Sequence, residues 1–363
     1  MRKGAGRFAA YSGLLLSSFL IVVLACTVVA AQGPGPRAGV PSIIDTHNHL
    51  FGRFPAGPGR VVVDYEGAAQ VALETMDKLG IKTLIVMPPP FAPSHPHPYD
   101  AEDLLDVVRS RPDRFAFLAG GGSLNPMLHQ AARDGNAGPD VRRLFEQRAL
   151  EILSKGALGF GEMTAEHFSL GPNHPYESVP PDHPLFLLLA DIAARHDVPV
   201  DIHMEAVPEE MPLPHRLSSP PNPRILRPNI VAFERLLAHN RNAKIIWAHA
   251  GWDNTGRRTA KLSAELLGRH PNLYLSLKVG RDSGPENRPV ERERGIMPEW
   301  LDLMRAFPDR FLIGSDQFYL SPRAPQRFPR HPEATTGILT WLPPDLAHKV
   351  AYENARRLFK LRD

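Results

Sequence analysis

Eight short runs rich in Ile, Val, Leu and Phe recur along this chain, at residues 42–49, 81–88, 114–121, 157–163, 198–205, 243–251, 272–280 and 310–318. The segments between them carry apolar residues at helical spacing, at 66–79, 100–109, 141–153, 183–196, 230–240, 259–269 and 299–307, with a last one at 345–358. Strands that alternate with helices build parallel βαβ units, and strands apolar on both faces must be covered on both. Eight such units close into a circle more readily than they line an open sheet. The pattern therefore predicts an α/β fold, a (β/α)8 TIM barrel over residues 42–363.

In a barrel of this kind the chemistry sits where the strands end. Those ends carry His47 and His49 on the first run, nothing polar on the second, Gly120 to Gly122 on the third and Glu162 on the fourth. His203 ends the fifth, His249 the sixth, Lys278 the seventh and Asp316 the eighth. Spacing alone is weak: with sixteen histidines in the chain, chance supplies on the order of one H-x-H pair. His95 and His97 in "SHPHP" are such a pair, set between prolines in a loop. Only four histidines end a strand, and a barrel brings those four together. His174, His183 and His215 lie beside prolines, and His196, His239 and His270 fall near helix C-termini, where a cation is favoured.

Residues two apart on a strand face the same way. His47 and His49 then both face the mouth, with Asp45 beneath them as a partner, while Thr46 and Asn48 face away. Four imidazoles and two carboxylates at one mouth suit a divalent ion of borderline softness, zinc being the expected one. Glu166 and His167 are read as loop residues. Glu205, two beyond His203, is expected to touch either substrate or a ligand.

The segments "DTHNH", "DIHME", "WAHAG", "LIGSD" and the C-terminal "YENARRLFKL" resemble the amidohydrolase superfamily. They are closest to its amidohydrolase-related branch, which holds aminocarboxymuconate-semialdehyde decarboxylase-like proteins and many metal-dependent hydrolases. The resemblance runs from about Ile43 to the C-terminus. It implies His47, His49 and Asp316 as ligands of one metal, with Asp316 also taking a proton from water. In members with one ion His203 completes the set, and His249 polarises the substrate or moves a proton. In members with two, His203 and His249 hold the second ion and Glu162 bridges the pair. Lys155 precedes the fourth strand, so a carboxylated lysine bridge is not expected.

Three long loops follow strands, at 88–99, 206–228 and 280–297, and the second holds seven prolines. Proline restricts the chain and favours a preformed pocket wall. Arg53, Trp252, Lys278 and Tyr319 are the nearest side chains able to hold an anionic or aromatic group of a small-molecule substrate.

The first 31 residues read as an export signal: Arg2, Lys3 and Arg7 precede an apolar run that ends in small residues at Val29 and Ala31. Retention as an N-terminal membrane anchor, or lipidation at Cys26, is the alternative, and residues 32–41 read as a linker. Without residues 1–31, Lys+Arg falls to 42 − 3 = 39 against 39 Asp+Glu, so the mature chain is neutral and no nucleic-acid partner is expected. Cys26 is the sole cysteine, which leaves the exported barrel to be held by its core, as a monomer or a homo-oligomer. The expected function is an exported metal-dependent hydrolase, with one or two ions activating water against a lactone, ester or amide carbonyl. The alternatives are a mononuclear, non-oxidative decarboxylase of an aromatic or unsaturated acid, and a metal-binding barrel without turnover.

Overall fold

The computed structural model describes residues 42–362 apart from 172, 173, 281, 282, 292 and 329. The signal or anchor at 1–31 and the linker at 32–41 lie outside the described residues.

All eight apolar runs form strands: β1 Ile43–Phe51, β2 Ile81–Val86, β3 in two halves (Phe115–Phe117 and Ala119–Gly120), β4 Phe160–His167, β5 Pro199–Met204, β6 Lys244–Ala250, β7 Leu273–Leu277 and β8 Phe311–Ile313. The ladder runs from the first half of β3 through β2, β1, β8, β7, β6, β5 and β4 to the second half of β3, and every pairing in it is parallel. Its two ends are halves of one run, interrupted only at Leu118, so the sheet closes on itself. The chain resumes after β8 as Gln317–Leu320, which pairs with the outer half of β1. β1 is buried along its length except at Phe51, as both-face coverage demands.

The helices between the strands are α1 Tyr65–Leu79, α2 Ala101–Ser110, α3 Leu124–Asp134, α4 Pro139–Ser154, α5 Pro184–His196, α6 Ile230–His239, α7 Ala260–Arg269 and α8 Pro298–Ala306. Local chemistry starts several of them. Asp64 accepts from Gly67 N ahead of α1, Asp100 and Asp103 form a capping box on α2, and Thr259 accepts from Leu262 N on α7. Helix α3 departs from the expected single helix between β3 and β4. Pro126 lies in its first turn, where proline is tolerated, and Gly135 ends it in the left-handed region at φ 60°. The closing segment is helical through Pro344–His348, a π turn at Lys349–Glu353 and Asn354–Phe359.

Most helices bury their apolar faces in one large cluster with the strands. A separate cluster joins Ile44, Ile85, Met87, Leu118, Ile246 and Leu312 to Ala355, Leu358 and Phe359, so the last helix packs directly on strand residues. Among the described residues, no helix is long and apolar enough to cross a membrane.

Candidate metal centre

The six strand-end residues singled out in the sequence come together around one carboxylate. Glu162 Oε2 lies 3.5 Å from His47 Nε2 and 3.5 Å from His49 Nε2. Its other oxygen, Oε1, lies 2.9 Å from His203 Nδ1 and 3.2 Å from His249 Nε2. Asp316 Oδ1 stands 3.2 Å from His49 Nε2 and 3.9 Å from His47 Nε2, and Oδ2 is 3.9 Å from His249 Nδ1. Two groups of ligand atoms close enough to share an ion result, His47 with His49 and Glu162, and Glu162 with His203 and His249.

The other nitrogen of three of these imidazoles faces an oxygen. His49 Nδ1 donates to the Met87 carbonyl at 2.9 Å. His47 Nδ1 is 3.2 Å from Asp201 Oδ1, and His203 Nε2 is 3.7 Å from Glu205 Oε1. Because a carbonyl only accepts, His49 carries its proton on Nδ1 and points the Nε2 lone pair to the centre.

Asp201, not Asp45, is therefore the carboxylate behind His47. Asp45 instead accepts from Ser315 N at 2.9 Å and from the Ser315 hydroxyl, and so holds the turn that delivers Asp316. Alternation along β1 misplaces Asp45 because its register with β2 shifts between Asp45 and Asn48. Thr46 and Asn48 are buried; Thr46 donates to the Ile313 carbonyl. Asp201 shares the parity of His203, a signal the sequence carried.

Two of the six residues hold unusual backbone. His249 has φ 67° and Asp316 φ 53°; the other described non-glycine residues with positive φ, Asp197 and Lys360, are helix C-caps. Such a conformation costs about 1–3 kcal/mol and persists where surroundings impose it. Around Asp316, Asp316 N donates to the His47 carbonyl at 2.8 Å. Gly314 allows the approach, since a Cβ there would collide with the Ser276 hydroxyl and come within 3.1 Å of His47 Cβ.

Burial opposes charge on Glu162, but the imidazoles of His47, His203 and His249 outweigh it and hold the carboxyl well below its ordinary range. Asp316 is likewise desolvated, yet Lys278 Nζ at 2.6 Å and His249 keep it well below the usual value. Buried atoms left without a hydrogen bond include His47 Nε2 and His249 Nδ1, both directed into the centre. Nitrogen lone pairs and ionised oxygens facing one another across 3–4 Å form a donor set that fits a divalent cation.

The residues expected to hold substrate divide. Lys278 lies at the centre, paired with Asp316 and 3.8 Å from the Trp252 ring centroid. Trp252 also meets the His249 ring edge-on at 6.1 Å. Glu205 is turned away, accepting from Asn254 N at 2.6 Å and from Asn254 Nδ2, with its other contact to His203. Arg53 is engaged by Asp103 on α2 at 2.8 Å. Tyr319 is fully buried in the main core, and Phe318 instead packs its ring 4.4 Å from that of His49. Phe318 has the parity of Asp316, which the sequence displayed. Glu166 and His167 are not loop residues: they end β4, pairing with Ser178 and Glu177, and His167 meets the His203 ring edge-on at 4.4 Å.

A cavity of about 490 Å³, whose wall includes Ser169, Leu217, Pro220, Pro221, Trp252 and Asn254, lies beside these residues. The proline-rich loop at 206–228 is tied to the segment after β4 by Asn222, which accepts from Ser169 N at 2.8 Å and donates to its carbonyl at 2.9 Å. That pair makes the wall preformed.

A family model described as amidohydrolase matches residues 44–361. None of the curated proteins matches the chain. Among solved structures, a probable 2-pyrone-4,6-dicarboxylic acid hydrolase from Acinetobacter baumannii, with citric acid bound, is 12% identical; the alignment covers 88% of this chain and 100% of that one, with a TM-score of 0.51. A 2,6-dihydroxybenzoate decarboxylase from Rhizobium is 17% identical over 88% of this chain and 99% of its own, with a TM-score of 0.47. A dihydroxybenzoic acid decarboxylase from Polaromonas sp. JS666, with bound manganese and the inhibitor 2-nitroresorcinol, is 18% identical over 88% and 97%, with a TM-score of 0.48.

Proposed function

Because the chain belongs to the amidohydrolase family, we propose that it is a metal-dependent hydrolase acting on the carbonyl of a small lactone, ester or amide. The observation that carries this reading is the division of Glu162, one oxygen toward His47 and His49 and the other toward His203 and His249. His47, His49 and Asp316 would hold one divalent ion, zinc being our choice, and His203 and His249 a second, with Glu162 between them. A divalent cation held there supplies Lewis acidity, which acidifies water and polarises a carbonyl oxygen.

The chain's own groups supply the proton path. Asp316 Oδ1 takes a proton from the attacking water as its oxygen bonds to the carbonyl carbon. Asp316 then returns the proton to the alkoxide or amine that leaves when the tetrahedral adduct collapses. Lys278 holds Oδ2 of the same carboxylate at 2.6 Å, which leaves Oδ1 aimed at the centre. Trp252 and Phe318 wall the mouth and limit water around the reacting carbonyl.

Elemental analysis of the purified protein beside Glu162→Gln tests the reading. Two ions per chain falling to one is the expected result. One ion in both proteins sinks the bridge and favours the decarboxylase, which needs a single ion to orient its substrate. A panel of lactones, esters, amides and hydroxybenzoates then separates hydrolysis from decarboxylation directly.

A further inference from the structure

We infer that Arg258 is a positioning residue for the His203 and His249 half of the centre, an inference that rests on the two-ion reading above. The paired residues of β5 and β6 end at Ile202 and Trp247. His203 and His249 both lie beyond that last pair, and the register of β6 with β7 shifts between Trp247 and Ala250. Backbone hydrogen bonding thus stops holding these strands together at the point where their ligands project.

Arg258 takes over there. It is 1% exposed, and its guanidinium donates from Nη1 to the Ala248 carbonyl and from Nη2 to the Met204 carbonyl. Ala248 immediately precedes His249, and Met204 immediately follows His203. One rigid fork therefore ties the two ligand-bearing strand ends, which a planar guanidinium does and a single ammonium cannot. Its Cζ lies 4.5 Å from the Trp247 ring centroid, and Trp247 Nε1 donates to the same Met204 carbonyl at 2.8 Å.

The loop after β6 is folded to present this arginine. Asp253 Oδ2 accepts from Arg258 N at 2.9 Å, and Oδ1 accepts from Gly256 N at 2.5 Å and from Asn287 Nδ2 at 2.7 Å. Among the described residues, His249 is one of two non-glycine residues with positive φ that are not helix caps, so its direction depends on what holds its neighbours. Among the described residues no such fork serves the His47 and His49 half, where the Met87 carbonyl accepts from His49 and Asp201 stands 3.2 Å from His47.

The test compares full-length wild type with Arg258→Met and Arg258→Lys in two measurements. In cobalt titration of metal-free protein, followed by visible absorption, the first equivalent should bind as in wild type. The second should weaken about 10- to 100-fold in both variants, the usual effect of losing an outer support of metal ligands. In hydrogen exchange of the metal-free chain, the ends of β5 and β6 should exchange several times faster while β1 is unchanged. An unchanged second equivalent, or equal weakening of both, overturns the inference. If wild type takes up only one ion, the two-ion reading fails, and unchanged exchange at the β5 and β6 ends separately sinks the role of Arg258. Should Arg258→Met not fold, Arg258→Lys decides.

Discussion

At the scale of single residues, three of the imidazoles at the centre have an oxygen behind their outer nitrogen. Asp201 stands behind His47, so Asp201→Leu should free that ring to rotate and take up a wrong tautomer. The expected outcome is a loss of about 10- to 100-fold in affinity for the ion at His47 and His49, read by competition with a metal indicator. Lys278→Met should act on Asp316 instead, because the 2.6 Å contact to Oδ2 is lost while every proposed ligand remains. Turnover should drop by about 10- to 100-fold with metal content unchanged. Unaltered turnover would show that Asp316 is oriented without the lysine. The six residues that gather at the centre were legible, since each ends an apolar run. The residues behind them were not read from the sequence: Asp201 and Phe318 share the parity of His203 and Asp316 but were passed over, and alternation fails at Asp45, where β1 slips against β2.

At the scale of elements, β4 reaches further than its apolar run. It continues to His167 and forms an antiparallel hairpin with Glu177–Ser178 that buries two carboxyls. Burial pushes Glu166 up to about 7 although Ser178 and Tyr176 donate to it, and burial pushes Glu177 up to about 8. A carboxyl whose folded value is raised favours the folded state fully below its unfolded value near 4.5. That contribution is lost as pH rises through the folded value. Stability should therefore fall between about pH 4.5 and 7 from Glu166, with Glu177 extending the decline toward 8. Glu166→Gln should remove its share, on the order of 3 kcal/mol across the window, measured by denaturant unfolding at several pH values. An identical slope in the variant would refute the assignment. The hairpin escaped the sequence because Glu166 and His167 are polar; their burial depends on Tyr176, Ser178 and His174, which no run of apolar residues announces. Helix α3 escaped for a different reason, as Pro126 reads as a stop signal yet falls in a first turn.

At the scale of the whole molecule, the chain's last helix and its strands share one apolar cluster, so the end of the sequence supports the barrel that the beginning opens. Phe359→Ala should cost about 3–5 kcal/mol in denaturant unfolding, with metal content of the folded fraction unchanged; loss of metal at unchanged stability would contradict this division. For residues 1–31 we propose export, and the mature protein recovered from the periplasm or medium should begin after Ala31, as N-terminal sequencing would report. By itself the sequence determined the barrel and the six residues at its mouth, because strands covered on both faces read as continuous apolar runs and strand ends are where a parallel barrel gathers its side chains. Only the tertiary structure decided which carboxylate stands behind which imidazole, that Glu162 faces both halves, and that Arg258 joins β5 to β6. Those relations join residues far apart in the chain, and they hang on register shifts and loop paths that local periodicity does not encode.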